Sequence, residues 1–177
     1  MVVTGDHGEA FGEHGFYLHG HTLYSEEIHV PLLIRFPGHV PAGRVVDRPV
    51  TIASIPETVL SLLGLPPLSG KASPALDALW QPGADSLPWP PPLGELSRKP
   101  WSLPVFPARH GAMRALMSDR RTLILHETDG PQLYDAEHDP GQAHDLSVDP
   151  AETEPLRELS DLLLRRLPYP PSTSEDR

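Results

Sequence analysis

Histidine, glutamate and glycine crowd the first part of this 177-residue chain. Five of the ten histidines lie within the first 29 residues, at His7, His14, His19, His21 and His29. Histidine and carboxylate side chains are the usual protein ligands of divalent metals, and imidazole also acts as an acid or base near neutral pH. A short apolar run ends at Asp6 and His7, so this pair could present two ligands at the edge of a sheet.

Asp6 and His7 are adjacent, and adjacent side chains on a regular strand point to opposite faces. They can approach one ion only where the strand ends and the backbone bends, which Gly8 would permit. The competing interpretation is that Asp6 caps the following turn and His7 is an ordinary loop residue. The residue types alone leave both interpretations open.

His19 and His21 flank Gly20, a spacing that could offer both imidazoles to one phosphate, sulfate or metal ion. The competing interpretation is a loop whose histidines face solvent. For Glu13–Gly15 and Glu26–Glu27 the simpler interpretations are a turn and a charged, solvated surface.

Composition and charge exclude several classes of protein. The net charge of −10 argues against a nucleic-acid or anionic-membrane surface, because no basic field gathers phosphates. Cysteine is absent, which excludes disulfides and thiolate chemistry within these residues. No run of eighteen apolar residues occurs, so we expect no membrane span, and the compartment stays open.

The elements expected around the histidines are those of an α/β protein. Residues 1–5 are typical of the end of a strand, and residues 28–36 predict a second strand that is buried on both faces, as in a largely parallel sheet. A helix is predicted next, with capping-box spacing from Ser54 to Glu57 and Gly64 at its end.

The rest of the chain divides at a proline-rich stretch. Eleven of the 23 prolines lie between residues 65 and 107, which predicts an extended surface connector, partly disordered. Residues 113–117, 121–126 and 132–135 predict strands, the first two joined by a turn at residues 118–120. A helix is predicted over residues 154–167, with a leucine stripe on one face.

The order of the N-terminal motifs closely resembles the second half of the sulfatase family, which belongs to the alkaline phosphatase superfamily of metal-dependent hydrolases. The motifs are Thr4-Gly5-Asp6-His7-Gly8-Glu9, Gly12-Glu13-His14-Gly15, Thr22-Leu23-Tyr24, Val30-Pro31-Leu32-Leu33-Ile34 and Pro37-Gly38. Residues 50–65 resemble the helix that follows in the family. Residues 114–146 resemble its small C-terminal subdomain, whereas residues 66–107 match nothing.

The resemblance implies a hydrolase of sulfate esters. Sulfatases attack sulfur with the hydrate of a formylglycine, assisted by one divalent cation and by nearby Lys, His and Arg side chains. Asp6 and His7 match the family's late pair of metal ligands, and His19 or His21 would contact the sulfate. Ca²⁺ is the cation expected first, but a nitrogen ligand suits Mn²⁺ or Zn²⁺ better.

Two departures from the family pattern are important. The sulfate-binding lysine of many members lies near Gly20, where this sequence has none. The nucleophile motif, Cys or Ser followed by x-Pro-x-Arg, is absent from these 177 residues. We therefore expect a C-terminal part of a sulfatase that is inactive alone. Its formylglycine would lie in a missing N-terminal half, and that half is also a possible partner.

The sequence thus predicts four segments. Residues 1–65 form the C-terminal portion of a helix-covered catalytic sheet, 66–107 a connector, 108–168 a small antiparallel β subdomain with a C-terminal helix, and 169–177 a disordered tail. The expected substrate is a sulfate ester. The alternatives are a phosphonate or phosphodiester hydrolase, which His7 favours slightly, and a non-catalytic metal-binding relic.

Overall fold

The structure, a computed structural model, describes residues 1–68, 73–118 and 120–166 of the chain. Within them lie three α-helices: α1 (Ser25–Ile28), α2 (Ile55–Leu62) and α3 (Thr153–Arg166). The strands in the same residues are β1 (Val2–Thr4), β2 (Ala10–Phe11), β3 (Tyr17–Leu18), β4 (Leu32–Ile34), β5 (Leu93–Leu96), β6 (Met113–Met117), β7 (Arg121–His126) and β8 (Gly130–Asp135). In the described part of the chain, no helix has the length and apolar character to cross a membrane.

The largest sheet is antiparallel, with its four strands in the order β5-β6-β7-β8. The predicted strands from residue 113 onward are confirmed, although Asp119 of the predicted turn lies outside the described residues. Strand β5 comes from the proline-rich stretch, where the sequence predicted only an extended connector. It is free of proline and pairs through Leu93–Leu96 with β6 at the edge of the sheet, a position that nearby prolines can flank.

Side-chain alternation gives this sheet two apolar faces. On one face Leu116, Leu123 and Leu133 pack against Leu163 of α3, and all four are fully buried. Burying one such leucine contributes about 1.5–3 kcal/mol, so this contact holds α3 on the sheet.

The opposite face of the sheet packs against the N-terminal part of the chain. Its core joins Leu23 and Tyr24, just before α1, to Met113 and Ile124 of the sheet. The loop that carries His19 and His21 therefore leads directly into the core of the C-terminal sheet.

Strands β1 and β4 pair antiparallel, with Val3 opposite Leu33, so the expectation of a parallel arrangement here was wrong. Between them the described chain holds the short strands β2 and β3 and the four-residue helix α1, but no helix of the kind that usually forms a parallel crossover. Burial on both faces is also not observed: Val3 is 48% exposed and Leu33 58% exposed.

Helix α2 ends as predicted but begins differently. Gly64 has a φ of 66° and its N–H bonds the Ser61 carbonyl, as a glycine after a helix end does. The predicted capping box does not form: Ser54 makes no side-chain cap bond and its hydroxyl is buried without a partner, whereas Glu57 accepts from the Leu68 N–H at 2.8 Å. A 3₁₀ turn before α2, capped by Thr51 at the Ala53 N–H, replaces the box.

Helix α3 agrees with the predicted helix over residues 154–167 to within one residue at its start. Asp149 caps the 3₁₀ turn in front of it by accepting from the Ala151 N–H at 2.9 Å. Leu167 of the leucine stripe and the predicted tail at 169–177 lie outside the described residues.

Candidate functional site

The bend that follows β1 is held against α1 by a close backbone contact. The Gly8 N–H donates to the Glu27 carbonyl at 2.8 Å. A Cβ at Gly8 would lie 2.0 Å from the Glu26 carbonyl oxygen, so only glycine permits this approach. The contact places Asp6 and His7 just beyond the end of the strand.

Asp6 and His7 turn towards one another at this bend, with Asp6 Oδ2 3.8 Å from His7 Nε2. His7 Nδ1 donates to the Gly8 carbonyl at 2.8 Å, which leaves Nε2 of the neutral ring as a free acceptor. The same bond to the Gly8 carbonyl, followed by the Asp6, Glu9 and Glu27 carboxylates, raises the pKa of His7 above its ordinary value. The Asp6 side chain is 91% exposed and open to an ion from solvent.

The atoms that these two side chains offer, one oxygen and one nitrogen, are of the types that divalent cations bind. They are two ligands of the four or more that such a cation takes. Among the described residues no group of three or more His, Asp or Glu side chains is placed to hold a metal ion.

His19 joins this pair through its ring. The His7 and His19 rings stack with centroids 4.0 Å apart, and His19 Nδ1 donates to Glu9 Oε2 at 2.8 Å. The structure therefore brings together three of the four residues predicted for the site, Asp6, His7 and His19. Glu9, to which the sequence assigned no role, orients the third.

His21 lies on the other side of Gly20, in an apolar setting. Its ring stacks on Phe106 with centroids 3.8 Å apart and an interplanar angle of 11°. Burial, together with the positive charge of Lys99, lowers the pKa of His21, so its ring is neutral near pH 7. Its Nδ1 atom is buried and has no hydrogen-bond partner in the structure.

A buried carboxylate shapes the loop at residues 19–22, which we call the histidine loop. Glu27, only 3% exposed, accepts from the His21 N–H at 3.1 Å, the Thr22 N–H at 3.4 Å and the Thr22 hydroxyl at 2.6 Å. Three donors on one carboxylate fix the backbone that carries both predicted anion-contacting histidines.

Lys99 is a residue that the sequence reasoning missed. A Cβ built on Gly20 would lie 2.9 Å from Lys99 Nζ, so a lysine does reach this place, from a distant part of the chain. The sequence contains only two lysines, Lys71 and Lys99, and no spacing pattern connects either of them to the histidine loop. The ammonium supplies the positive charge that the local motif lacks.

His14 lies in a 3₁₀ turn at Glu13–Gly15, as the sequence predicted, and its ring has a structural role. Its Nδ1 lies 2.9 Å from Glu26 Oε1 and its Nε2 lies 3.0 Å from the Gln142 carbonyl. Its ring also stacks on Tyr24 at 3.8 Å. The Gln142 contact ties the N-terminal part of the chain to the loop after β8, and the two hydrogen bonds leave neither ring nitrogen for a ligand.

The sequence of this chain is similar to those of known proteins. Residues 1–65 match the family model described as Sulfatase. The chain is 29% identical over 160 residues to mouse arylsulfatase K, covering 84% of this chain and 27% of that protein. The motif-based resemblance to sulfatases is therefore confirmed.

Solved structures agree with this assignment. A putative sulfatase from Bacteroides thetaiotaomicron superposes with a TM-score of 0.75 at 25% identity, over 92% of this chain and 34% of that one. A phosphonate monoester hydrolase from Silicibacter pomeroyi gives 0.73 at 30% identity, over 93% and 33%. The predicted mixed α/β fold is confirmed, and the chain spans about a third of the length of these relatives.

Proposed function

Because residues 1–65 match the Sulfatase family model, we propose that this chain supplies the cation-holding and anion-contacting side chains for the hydrolysis of sulfate esters. The observation that carries the proposal is the approach of Asp6 Oδ2 to His7 Nε2, 3.8 Å apart at the end of β1. Ligands of open α/β sheets collect at such strand ends.

Asp6 and His7 would hold one divalent cation, with Ca²⁺ expected first and Mn²⁺ or Zn²⁺ as alternatives. When bound, such a cation stabilises negative charge that develops on the transferred group. The Gly8 carbonyl keeps His7 in the tautomer whose Nε2 lone pair faces Asp6. The further ligands must come from groups beyond those that the described residues bring together.

His19 and His21 would contact the sulfate group of the substrate from the other side of the cation pair. The stack of His19 on His7 places its ring next to the cation ligands. His21, held neutral by burial, can donate one N–H to an oxyanion without adding charge.

A calorimetric titration of the 177-residue chain with Ca²⁺, Mn²⁺ and Zn²⁺ tests the cation role. We expect saturable binding of one of these ions, weakened at least about tenfold by Asp6→Ala and by His7→Ala, as loss of a ligand requires. His29→Ala is the matched control, because His29 is an exposed histidine in the same region. Equal affinity in all four proteins would refute the assignment of Asp6 and His7.

We expect that hydrolysis of a sulfate ester needs a nucleophile that this chain does not supply. Covalent catalysis requires an activated nucleophile, and the formylglycine of sulfatases needs a Cys or Ser motif that these residues lack. We expect the purified chain to hydrolyse an aryl sulfate no faster than its Asp6→Ala variant does. A clear rate difference between the two would show that the chain is catalytic by itself.

A second candidate function is phosphonate monoester hydrolysis. It is supported by the 30% identity to the Silicibacter pomeroyi phosphonate monoester hydrolase and by the nitrogen ligand His7. The two candidates differ in which anion the site prefers in the presence of the cation. Tighter binding of phenylphosphonate than of phenyl sulfate, followed by histidine chemical shifts, would favour the second candidate.

A further inference from the structure

Residues 97–110, here called the lysine loop, fold over the histidine loop. The Ala108 N–H donates to the His21 carbonyl at 3.2 Å, and the Lys99 N–H donates to the Ala108 carbonyl at 2.6 Å. Phe106, which is buried, covers the His21 ring. Two backbone bonds and one ring stack therefore connect Lys99 to the residues around Gly20.

The lysine loop is itself fixed to the C-terminal sheet. His126 of β7, which is buried, donates from Nε2 to the Pro107 carbonyl at 3.0 Å. Within the loop, the Ser102 hydroxyl donates to the Lys99 carbonyl at 2.9 Å and Arg109 Nη1 donates to the Ser102 carbonyl at 2.8 Å. The backbone at Lys99 is thus held from both directions, which limits the region that its ammonium can reach.

The Lys99 side chain is half-buried, and its ammonium faces the space above Gly20. Gly20 has a φ of 73° and no side chain, and a Cβ there would lie only 2.9 Å from Lys99 Nζ, so the ammonium lies against the Gly20 backbone. Two carboxylates that contact the histidine loop are engaged elsewhere: Glu9 with His19, and Glu27 with the backbone of that loop. In the described residues, no ion pair with Lys99 is present.

We propose that Lys99 is the cationic anchor for the tetrahedral oxyanion group of the substrate, delivered to the site by the lysine loop. A half-buried ammonium without a counter-ion gains strongly when an oxyanion accepts its hydrogen bonds. His21, which is next to Gly20, is the neighbouring ring that can add a neutral N–H donor. The role as a substrate contact rests on the proposed function, whereas the anion site itself can be tested alone.

A purely structural lysine would behave differently. Its methylene groups would pack on the loop and its ammonium would stay hydrated, so the ammonium would not bind sulfate. The positive charge already acts on the site, because Lys99 is one of the groups that lower the pKa of His21, alongside His19 and against Glu27. Removing this charge should therefore raise the pKa of His21 even without an anion.

Carbon-13 labelling of lysine provides a direct test in the full chain, because the sequence has only two lysines. The signal that disappears in Lys99→Arg identifies Lys99 in the wild-type spectrum. We expect that signal to shift saturably with inorganic sulfate and with inorganic phosphate. A wild-type Lys99 signal that does not shift with either anion would overturn the proposal.

Variants give the second arm of the experiment, with the His21 ring signals as the reporter. Lys99→Met should raise the pKa of His21 and weaken sulfate binding about tenfold, as loss of a charged hydrogen bond predicts, and Lys99→Arg should retain most binding. Arg98→Met is the matched control, because it removes a neighbouring positive charge whose Nε bonds the Arg109 carbonyl instead.

An equal loss in Arg98→Met and Lys99→Met would show a general charge effect and refute the anchor. Wild-type sulfate affinity in Lys99→Met would do the same. Titration of the same samples with Ca²⁺, Mn²⁺ and Zn²⁺ separates the two proposals. Failure of Asp6 and His7 to bind a cation refutes the metal role and leaves the Lys99 result standing.

Discussion

Gly8 and the Glu26 carbonyl are so close that a Cβ on Gly8 would lie 2.0 Å from that oxygen. No side chain can relieve this overlap, because the opposing atom belongs to the backbone of α1. The contact sets the distance between the bend that carries Asp6 and His7 and the helix that carries Glu27.

We expect Gly8→Ala to push the bend away from α1 and to destabilise the protein by about 1–3 kcal/mol, the usual cost of overpacking. It should also weaken cation binding by Asp6 and His7. Urea unfolding and metal titration measure the two effects. Gly141→Ala is the control, because a Cβ there meets nothing within 4 Å, and it should change stability by less than about 0.5 kcal/mol.

Leu163→Ala tests the packing of α3 on the sheet. Leu163 is fully buried among Leu116, Leu123 and Leu133, so its truncation should lower the free energy of unfolding by about 2–5 kcal/mol. Leu164→Ala on the same helix is matched in size but is 46% exposed, and should have a much smaller effect. Similar losses for both variants in urea unfolding would contradict the packing of α3 described above.

Asp135 should make the C-terminal sheet sensitive to acid. Bonds from the His138 and Glu137 N–H groups, aided by Arg121, lower the pKa of Asp135 to about 2. A carboxyl with a lowered pKa stabilises the folded state above its ordinary pKa, and this stability is lost as pH falls towards the lowered value. Asp135→Asn should therefore be less stable than wild type near neutrality, and the difference should shrink between about pH 4 and pH 2.

Urea unfolding of both proteins across this pH range checks the prediction. A difference that stayed constant with pH would mean that Asp135 acts through shape and not through its charge. Asp129→Asn is a suitable comparison, because the Asp129 side chain is 70% exposed.

Glu27→Gln tests the buried carboxylate beneath the histidine loop. The amide retains one oxygen acceptor but turns an NH₂ group towards the His21 N–H or the Thr22 donors, leaving buried donors unpaired. We expect a loss of about 1–3 kcal/mol in the free energy of unfolding. The exposed Glu158→Gln on α3 provides the control, and equal stability of the two variants would refute the anchoring role.

Much of the local structure could be predicted from the sequence, because it depends on near neighbours along the chain. The apolar-rich runs at 113–117 and 121–126 predict the hairpin, and the leucine spacing predicts α3 to within one residue at its start. The order of short motifs from Thr4 to Gly38 likewise indicated the sulfatase family, whose model residues 1–65 match. Periodicity and motif order are properties of the linear sequence, so they can be recognised without knowledge of the packing.

What only the tertiary structure decided is which distant segments meet. The antiparallel pairing of β1 with β4, the recruitment of β5 from a proline-rich stretch and the arrival of Lys99 beside Gly20 all join residues far apart in the chain. No spacing in the sequence specifies these pairs, because they depend on how the loops close and which apolar faces bury one another. The candidate cation pair was therefore visible in the sequence, whereas the positive charge next to it became visible only once the chain had folded.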